Sequence, residues 1–182
     1  MDLKNGRGKV KVIFKPQTEW LPPTDFPNLD KYDEIAIDLE TKDPNLNERL
    51  GSGSVIGAGD VVGISLATVD WCAYYPIAHE GGGNMDRAMV LNWFKDQMKT
   101  ESTKIFHNAM YDVCWLRKLG VQINGKIVDT MIAASLVDEN RFRYDLNNCG
   151  RDYLGKGKDE TALYEAAKSW GVDPKAEMYK LP

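Results

Sequence analysis

Only two histidines occur in the 182 residues, and the three cysteines (Cys72, Cys114, Cys149) are scattered and odd in number. These scarcities exclude a disulfide framework and a zinc-type Cys/His cluster, and reduced thiols in a cytoplasmic setting are expected. Long hydrophobic runs are also missing. The longest mainly apolar stretch, Val61 to Val69, contains Gly63, Ser65 and Thr68 and is too short to span a bilayer, so no membrane partner is expected. No apolar segment follows the charges of Met1 to Gly8, so no secretory signal is expected. Positive charge is not in excess, since the net charge is −4, and a general electrostatic grip on nucleic acid is therefore not indicated. A nucleic-acid enzyme stays open all the same, because sites that cut phosphodiesters concentrate carboxylates whose charge metal ions offset. What is present is 43% hydrophobic residues, enough to bury a core, in a length that suits one domain.

Residues 1–30 read as an N-terminal arm. Residues 1–15 carry Lys4, Arg7, Lys9, Lys11 and Lys15 against Asp2 alone, and the alternation of Val10, Val12 and Phe14 suggests one edge strand. Pro16, Pro22, Pro23 and Pro27 then interrupt regular structure. From residue 31 to 182 the pattern is compact. Glu34 to Thr41 reads as a strand, and a loop rich in glycine follows from Asp43 to Asp60. Val61–Thr68 and Trp71–Ile77 read as a hairpin turning at Val69-Asp70. Met85–Met98 has helical spacing, with Met85, Met89, Trp93 and either Phe94 or Met98 on one side. Lys104–His107 predicts a short strand, Tyr111–Leu119 a helix stopped by Gly120, and Ile127-Val128 a strand leading into a helix from Asp129 to about Val137. Asp145–Tyr153 and Ala162–Trp170 predict two more helices. Three antiparallel-style strands followed by alternating helix and strand indicate an α/β chain, a mixed sheet with helices on its faces.

Two acids stand out on the first strand. Side chains alternate across a strand, so Ile35, Ile37 and Leu39 face one way while Asp38 and Glu40 share the other. Paired carboxylates near a strand end repel each other in low dielectric, and a divalent cation with its preference for oxygen ligands removes that cost. Asp-x-Glu alone is weak evidence, since roughly one such triplet is expected by chance at this acid content. Further on, the short strand Lys104-Ile-Phe106 runs into His107-Asn108, with Asp112 about one turn into the next helix. Asn108 reads equally well as a helix N-cap, and Asp112 as a charge favoured by the helix dipole.

Together the two segments say more. Asp38-Leu-Glu40 on a strand, then Asn108-x-x-x-Asp112 at a strand-to-helix junction, resembles the first two motifs of the DEDD family of 3′→5′ exonucleases. Ala73-Tyr-Tyr-Pro-Ile-Ala-His79, Asp129-Thr-Met131 and Gly155-Lys-Gly-Lys158 look like segments of the proofreading domain of DNA polymerase I. Thr41-Lys-Asp-Pro44 with its glycine-rich loop, and His79-Glu-Gly-Gly-Gly-Asn84, look like bacteriophage members of the A family of DNA polymerases. The resemblance spans about residues 34–160.

It implies a ribonuclease H-like mixed β-sheet flanked by α-helices, and a metal-dependent hydrolase using two ions, Mg²⁺ or Mn²⁺, on the scissile phosphate. By resemblance Asp38 bridges both ions, Glu40 holds the ion that activates water, and Asp112 holds the second. Asn108 contacts the substrate or orients Asp112, and Thr41 contacts the terminal nucleotide. The implied substrate is a single-stranded DNA 3′ end, and the implied function is proofreading in DNA replication, in a monomer within the host cytoplasm. His79 and His107 are out of position for a general base and are expected to be structural. Arg141, Arg143, Lys156 and Lys158, with Phe142, Tyr144 and Tyr153 between, form a basic stretch that suits phosphate contacts and stacking, or equally a solvated face.

One departure matters. The family's third motif, Tyr-x-x-x-Asp, occurs nowhere in the chain, and Tyr164-Glu-Ala-Ala-Lys168 keeps its spacing but ends in lysine. The sequence therefore reads as a C-terminally incomplete exonuclease domain that lacks the polymerase domain expected to continue it, weak or inactive as it stands. Two other readings compete: a non-catalytic DNA-binding or docking module of a replicase, and a ribonuclease D-like trimmer of RNA 3′ ends.

Overall fold

A computed structural model describes residues 20–48 and 50–182. The edge strand expected at Val10–Phe14 lies outside the described residues. Five strands form one sheet in the order β3-β2-β1-β4-β5. The central strand β1 (Glu34–Lys42) pairs antiparallel with β2 (Asp60–Ala67), which pairs antiparallel with β3 (Cys72–Pro76). On its other side β1 runs parallel to β4 (Thr103–Phe106), and β4 runs parallel to β5 (Ile127–Asp129). The hairpin expected around Val69-Asp70 closes through Thr68 N–H on the Trp71 carbonyl at 2.7 Å.

β1 is legible from its own residues. Ile35, Ile37 and Leu39 are buried against Ile64, Tyr75, Phe94, Phe106, Trp115 and Leu116. That leaves the even-numbered side chains on the opposite face, as the alternation requires. The register shifts between Glu40 and Thr41, where a bulge breaks the ladder at the end of the acid pair.

The connections hold α1 (Gly53–Ile56), a single turn, then α2 (Arg87–Met98), α3 (Ala109–Lys118), α4 (Thr130–Val137), α5 (Leu146–Leu154) and α6 (Thr161–Trp170). The loop Asp43–Asp60 thus contains a helical turn that its glycines hid. α2 begins later than the expected Met85 because the Asp86 carboxylate caps it, accepting from Met89 N–H. The helix then buries Val90, Phe94, Gln97 and Met98, while Met89 faces out. The stripe through Met89 is therefore corrected: the i, i+4, i+8 series Val90–Phe94–Met98 offers the more apolar face. Trp93 turns sideways, its indole N–H on the Pro27 carbonyl at 2.8 Å and its ring 5.5 Å from Phe26. Leu29 is fully buried beside them, and its N–H donates to Gln97 Oε1 at 2.8 Å.

Lys104 on β4 is fully buried and makes no ion pair with a carboxylate among the described residues. Its ammonium donates to the carbonyls of Thr100, Ser102 (3.0 Å) and Asn124 (3.1 Å) and to the Thr100 hydroxyl at 3.1 Å. Burial pushes its pKa down, and the four oxygens compensate the lost hydration.

Candidate active site

The parallel pairing of β1 and β4 brings the two acid-bearing segments together. α3 starts where β4 ends, so Asp112 projects toward the middle of β1. Its carboxylate Oδ1 accepts from the N–H of Leu39 at 3.1 Å, the residue between Asp38 and Glu40. Asp112 is only 3% exposed, which for an acid demands compensation. The backbone N–H groups of Leu39 and of Asp112 itself are not enough. Burial, and then the Asp38 charge, push Asp112 up to about 7. Burial, then Asp38, also push Glu40 up to about 7, with Asp112 adding to the effect. Asp38 is raised by partial withdrawal from water, opposed by Lys158 and His107. The three acids expected to act together are thus electrostatically one group.

They are held apart, however. Among the described residues no three His, Cys, Asp or Glu side chains gather as a ready-made metal cage. The donor set fits a hard divalent cation: oxygen ligands only, excess negative charge, and two acids that burial and a like charge push up to about 7.

Asn108 sits at the N-cap position of α3 with φ 69°, the one non-glycine residue in the left-handed region among the described residues. Its side chain makes no capping bond. The cap comes instead from Asp129, the last residue of β5. One carboxylate oxygen accepts from Asn108 N–H (3.0 Å) and Met131 N–H (2.9 Å), the other from Ala109 N–H (2.8 Å). Burial alone would raise Asp129, but these backbone donors, with Ile132, outweigh it and hold the carboxyl below its ordinary value. One side chain therefore caps both α3 and α4. Asp129 read in sequence only as the start of a helix; its second role depends on β5 lying beside β4, which no local signal reveals. The Asn108 side chain is left free beside a bent backbone, the kind of outlier that accompanies functional sites.

Thr41, just past the bulge, shares a 2.7 Å hydrogen bond with the Tyr111 hydroxyl, which donates in turn to Asp43 Oδ2 at 3.2 Å. Tyr111 was not singled out in the sequence, although it locks β1 to α3 one residue before Asp112. Glu40, Thr41, Asn108 and Tyr111 line a cleft of 1220 Å³ whose far wall is α6, with Tyr164 and Lys168. Asp38 opens instead on an adjoining cavity of 600 Å³ with Ser65, Tyr74, His107 and Thr130. Both histidines have fixed partners. His79 is buried, its Nδ1 3.0 Å from the Leu181 carbonyl and its Nε2 on the Tyr74 hydroxyl. Gly63 is required for that pair, because a Cβ there would meet the Tyr74 hydroxyl at 1.9 Å. His107 Nδ1 lies 2.9 Å from the Thr130 hydroxyl. Of the basic stretch, Arg141 is taken up by Asp152 and by the Tyr153 ring, 4.9 Å away, whereas the Lys158 charge reaches Asp38 and Glu40.

Comparison with known proteins adds an independent line. A family model described as 3′-5′ exonuclease, of the DNA polymerase A type, matches residues 26–180. A DNA-directed DNA polymerase of Pseudomonas phage M6 is 33% identical over 172 residues, covering 91% of this chain and 26% of the polymerase. The chain thus spans about a quarter of that relative's length. Among solved structures, Trypanosoma brucei RNase D has a TM-score of 0.61 at 15% identity, covering 86% of this chain and 52% of that one. Brucella melitensis NrnC with bound Mg²⁺ has a TM-score of 0.54 at 20% identity, covering 78% and 62%. These likenesses establish the fold, the ribonuclease H-like exonuclease sheet.

Proposed function

Because this chain belongs to the 3′-5′ exonuclease family of A-type DNA polymerases, we propose that it is the proofreading module of a phage-type replicative polymerase and removes nucleotides from single-stranded DNA 3′ ends. The observation that carries the reading is the Asp112 carboxylate on the Leu39 N–H, which joins acids 72 and 74 residues apart in sequence into one site. In this reading Asp38, Glu40 and Asp112 hold the metal ions, and Asn108 and Thr41 meet the terminal nucleotide. Bound Mg²⁺ or Mn²⁺ supplies Lewis-acid stabilisation of the attacking and leaving oxygens. The chain's own residues do the positioning. Leu39 N–H fixes the Asp112 carboxylate, Tyr111 fixes Thr41 and the bulged end of β1, and Asp129 fixes the backbone that presents Asn108.

A Tyr-x-x-x-Asp motif is absent from the sequence, and Lys168 occupies the spacing position on the cleft wall. A site that lacks the fourth carboxylate and the tyrosine of that motif is expected to be slow, since positioning and proton-transfer terms are each worth orders of magnitude. The test is a gel time course of 5′-labelled single-stranded DNA with Mn²⁺, alongside an RNA of the same sequence. We expect slow 3′-end shortening of DNA that Asp112→Ala abolishes, and faster shortening by a longer chain that carries the missing motif. Shortening that persists in Asp112→Ala, or a preference for RNA, overturns the assignment.

A further inference from the structure

Thr41, Tyr111 and Asp43 form a hydrogen-bonded chain along the wall of the 1220 Å³ cleft, which Glu40 and Asn108 also line. The direction of each proton in that chain follows from counting donors. Asp43 uses both carboxylate oxygens as acceptors, Oδ1 for the Gly53 N–H at 3.0 Å and Oδ2 for the Tyr111 hydroxyl at 3.2 Å. A tyrosine hydroxyl has one proton, and here Asp43 takes it. In the 2.7 Å contact with Thr41 the Tyr111 oxygen must therefore accept, and the Thr41 hydroxyl donates. The one proton of Thr41 is thus committed to the protein, and only its lone pairs are left for the cleft.

α3 and the glycine-rich loop keep Asp43 in place. Lys118, on the same face of α3 as Tyr111, donates to the carbonyls of Ala58 at 3.1 Å and Gly59 at 3.0 Å, in the loop whose Gly53 N–H holds Asp43. Gly53 has no room for a side chain, because a Cβ there would meet the Ala58 carbonyl oxygen at 2.3 Å and Asp43 Oδ1 at 2.9 Å. We propose that Asp43 is a specificity-determining residue: through Tyr111 it fixes the Thr41 hydroxyl as an acceptor, so that the cleft prefers a strand end bearing a hydrogen-bond donor to one bearing only acceptors. The donor that every terminal nucleotide carries, whatever its base, is the sugar hydroxyl. This deepens the exonuclease reading above and rests on it.

Asp43→Asn reverses the chain. The Gly53 N–H still needs an oxygen, so the amide NH₂ is turned to Tyr111 and donates to it. The Tyr111 proton then passes to Thr41, and the Thr41 proton is released to the cleft. Thr41→Val removes the acceptor outright. A merely structural Asp43 would weaken the binding of every strand end by the same factor.

Fluorescence titration of 5′-labelled single-stranded DNA in Ca²⁺ reads the difference, with matched strands ending in a 3′-hydroxyl or in a 3′-fluorine, which cannot donate. We expect the wild type to bind the hydroxyl end about three- to tenfold more tightly, the worth of one hydrogen bond. In Asp43→Asn and in Thr41→Val the ratio should fall to within about twofold. Asp173→Asn, which removes a carboxylate from the same cleft wall, should change both ends alike and keep the ratio. If the wild type binds no single-stranded DNA, the exonuclease reading fails and this inference with it. If it binds both ends equally, or Asp43→Asn keeps the full preference, the inference alone is overturned. A preference that survives Thr41→Val overturns it whatever Asp43→Asn does.

Discussion

Glu40 and Asp112 are the residues whose ionisation the fold works against. In the unfolded chain both lose their protons around pH 4, whereas in the fold both do so at about 7. Between those values the folded state binds more protons, so the contribution of these two groups to stability is fullest below about pH 4 and is lost as pH rises through 7. The coupled pair should cost on the order of 2–4 kcal/mol at pH 8 relative to pH 5. Urea melts in EDTA at the two pH values should show the difference, and Glu40→Gln or Asp112→Asn should flatten it. Adding Mn²⁺ at pH 8 should restore stability, because a ligand of the folded state alone shifts the equilibrium by mass action. Identical melts at both pH values would sink this account. Asn108 separates stability from recognition. A left-handed backbone costs a non-glycine residue about 1 kcal/mol, so Asn108→Gly should match or exceed wild-type stability while weakening binding of single-stranded DNA. A variant that binds DNA normally would remove Asn108 from the site.

At the scale of elements, the structure hangs much on Asp129. Its carboxylate satisfies orphan donors at the starts of two helices, so Asp129→Ala should cost about 2–3 kcal/mol, twice the usual cap, measured by chemical denaturation. A loss below about 1 kcal/mol would mean that water replaces it. This residue also marks how far the sequence could be read. β1, the β2–β3 hairpin and α3 to α6 were legible within a residue or two, because each is specified by its own periodicity and its own cap or stop signal. That Asp112 would lie beside Asp38 and Glu40 was expected from the resemblance, whose motif order and spacing these residues match. The double cap and the Tyr111 lock were not. Each depends on pairing between β1, β4 and β5, contacts made across tens of residues. α2 was misread by phase, since Met89 and Trp93 offered a plausible apolar stripe beside the true one, and α1 was hidden among glycines.

For the molecule as a whole, the uneven distribution of apolar surface matters most. α4 is almost wholly apolar, yet Ala134 is its one buried residue, and Ile132, Leu136 and Val137 lie exposed, as do Phe142 and Leu154 nearby in sequence. Exposed apolar area of this kind favours association. We expect the chain to bind a hydrophobic dye such as ANS and to sediment with a weight that rises with concentration. Leu136→Glu should reduce both while changing stability by less than about 0.5 kcal/mol. A dye-silent, monodisperse wild type would show that the patch is too broken to matter.

The buried Lys104 gives the same molecule a chemical clock. Its amine is sealed among carbonyls that join the end of α2 to the approach to β5, whereas the lysines on the surface stand in water. An acylating reagent added in trace to the native protein should therefore modify Lys104 last, and only when this corner opens. Peptide mass spectrometry of the acylated site would then time the opening of the sheet from within.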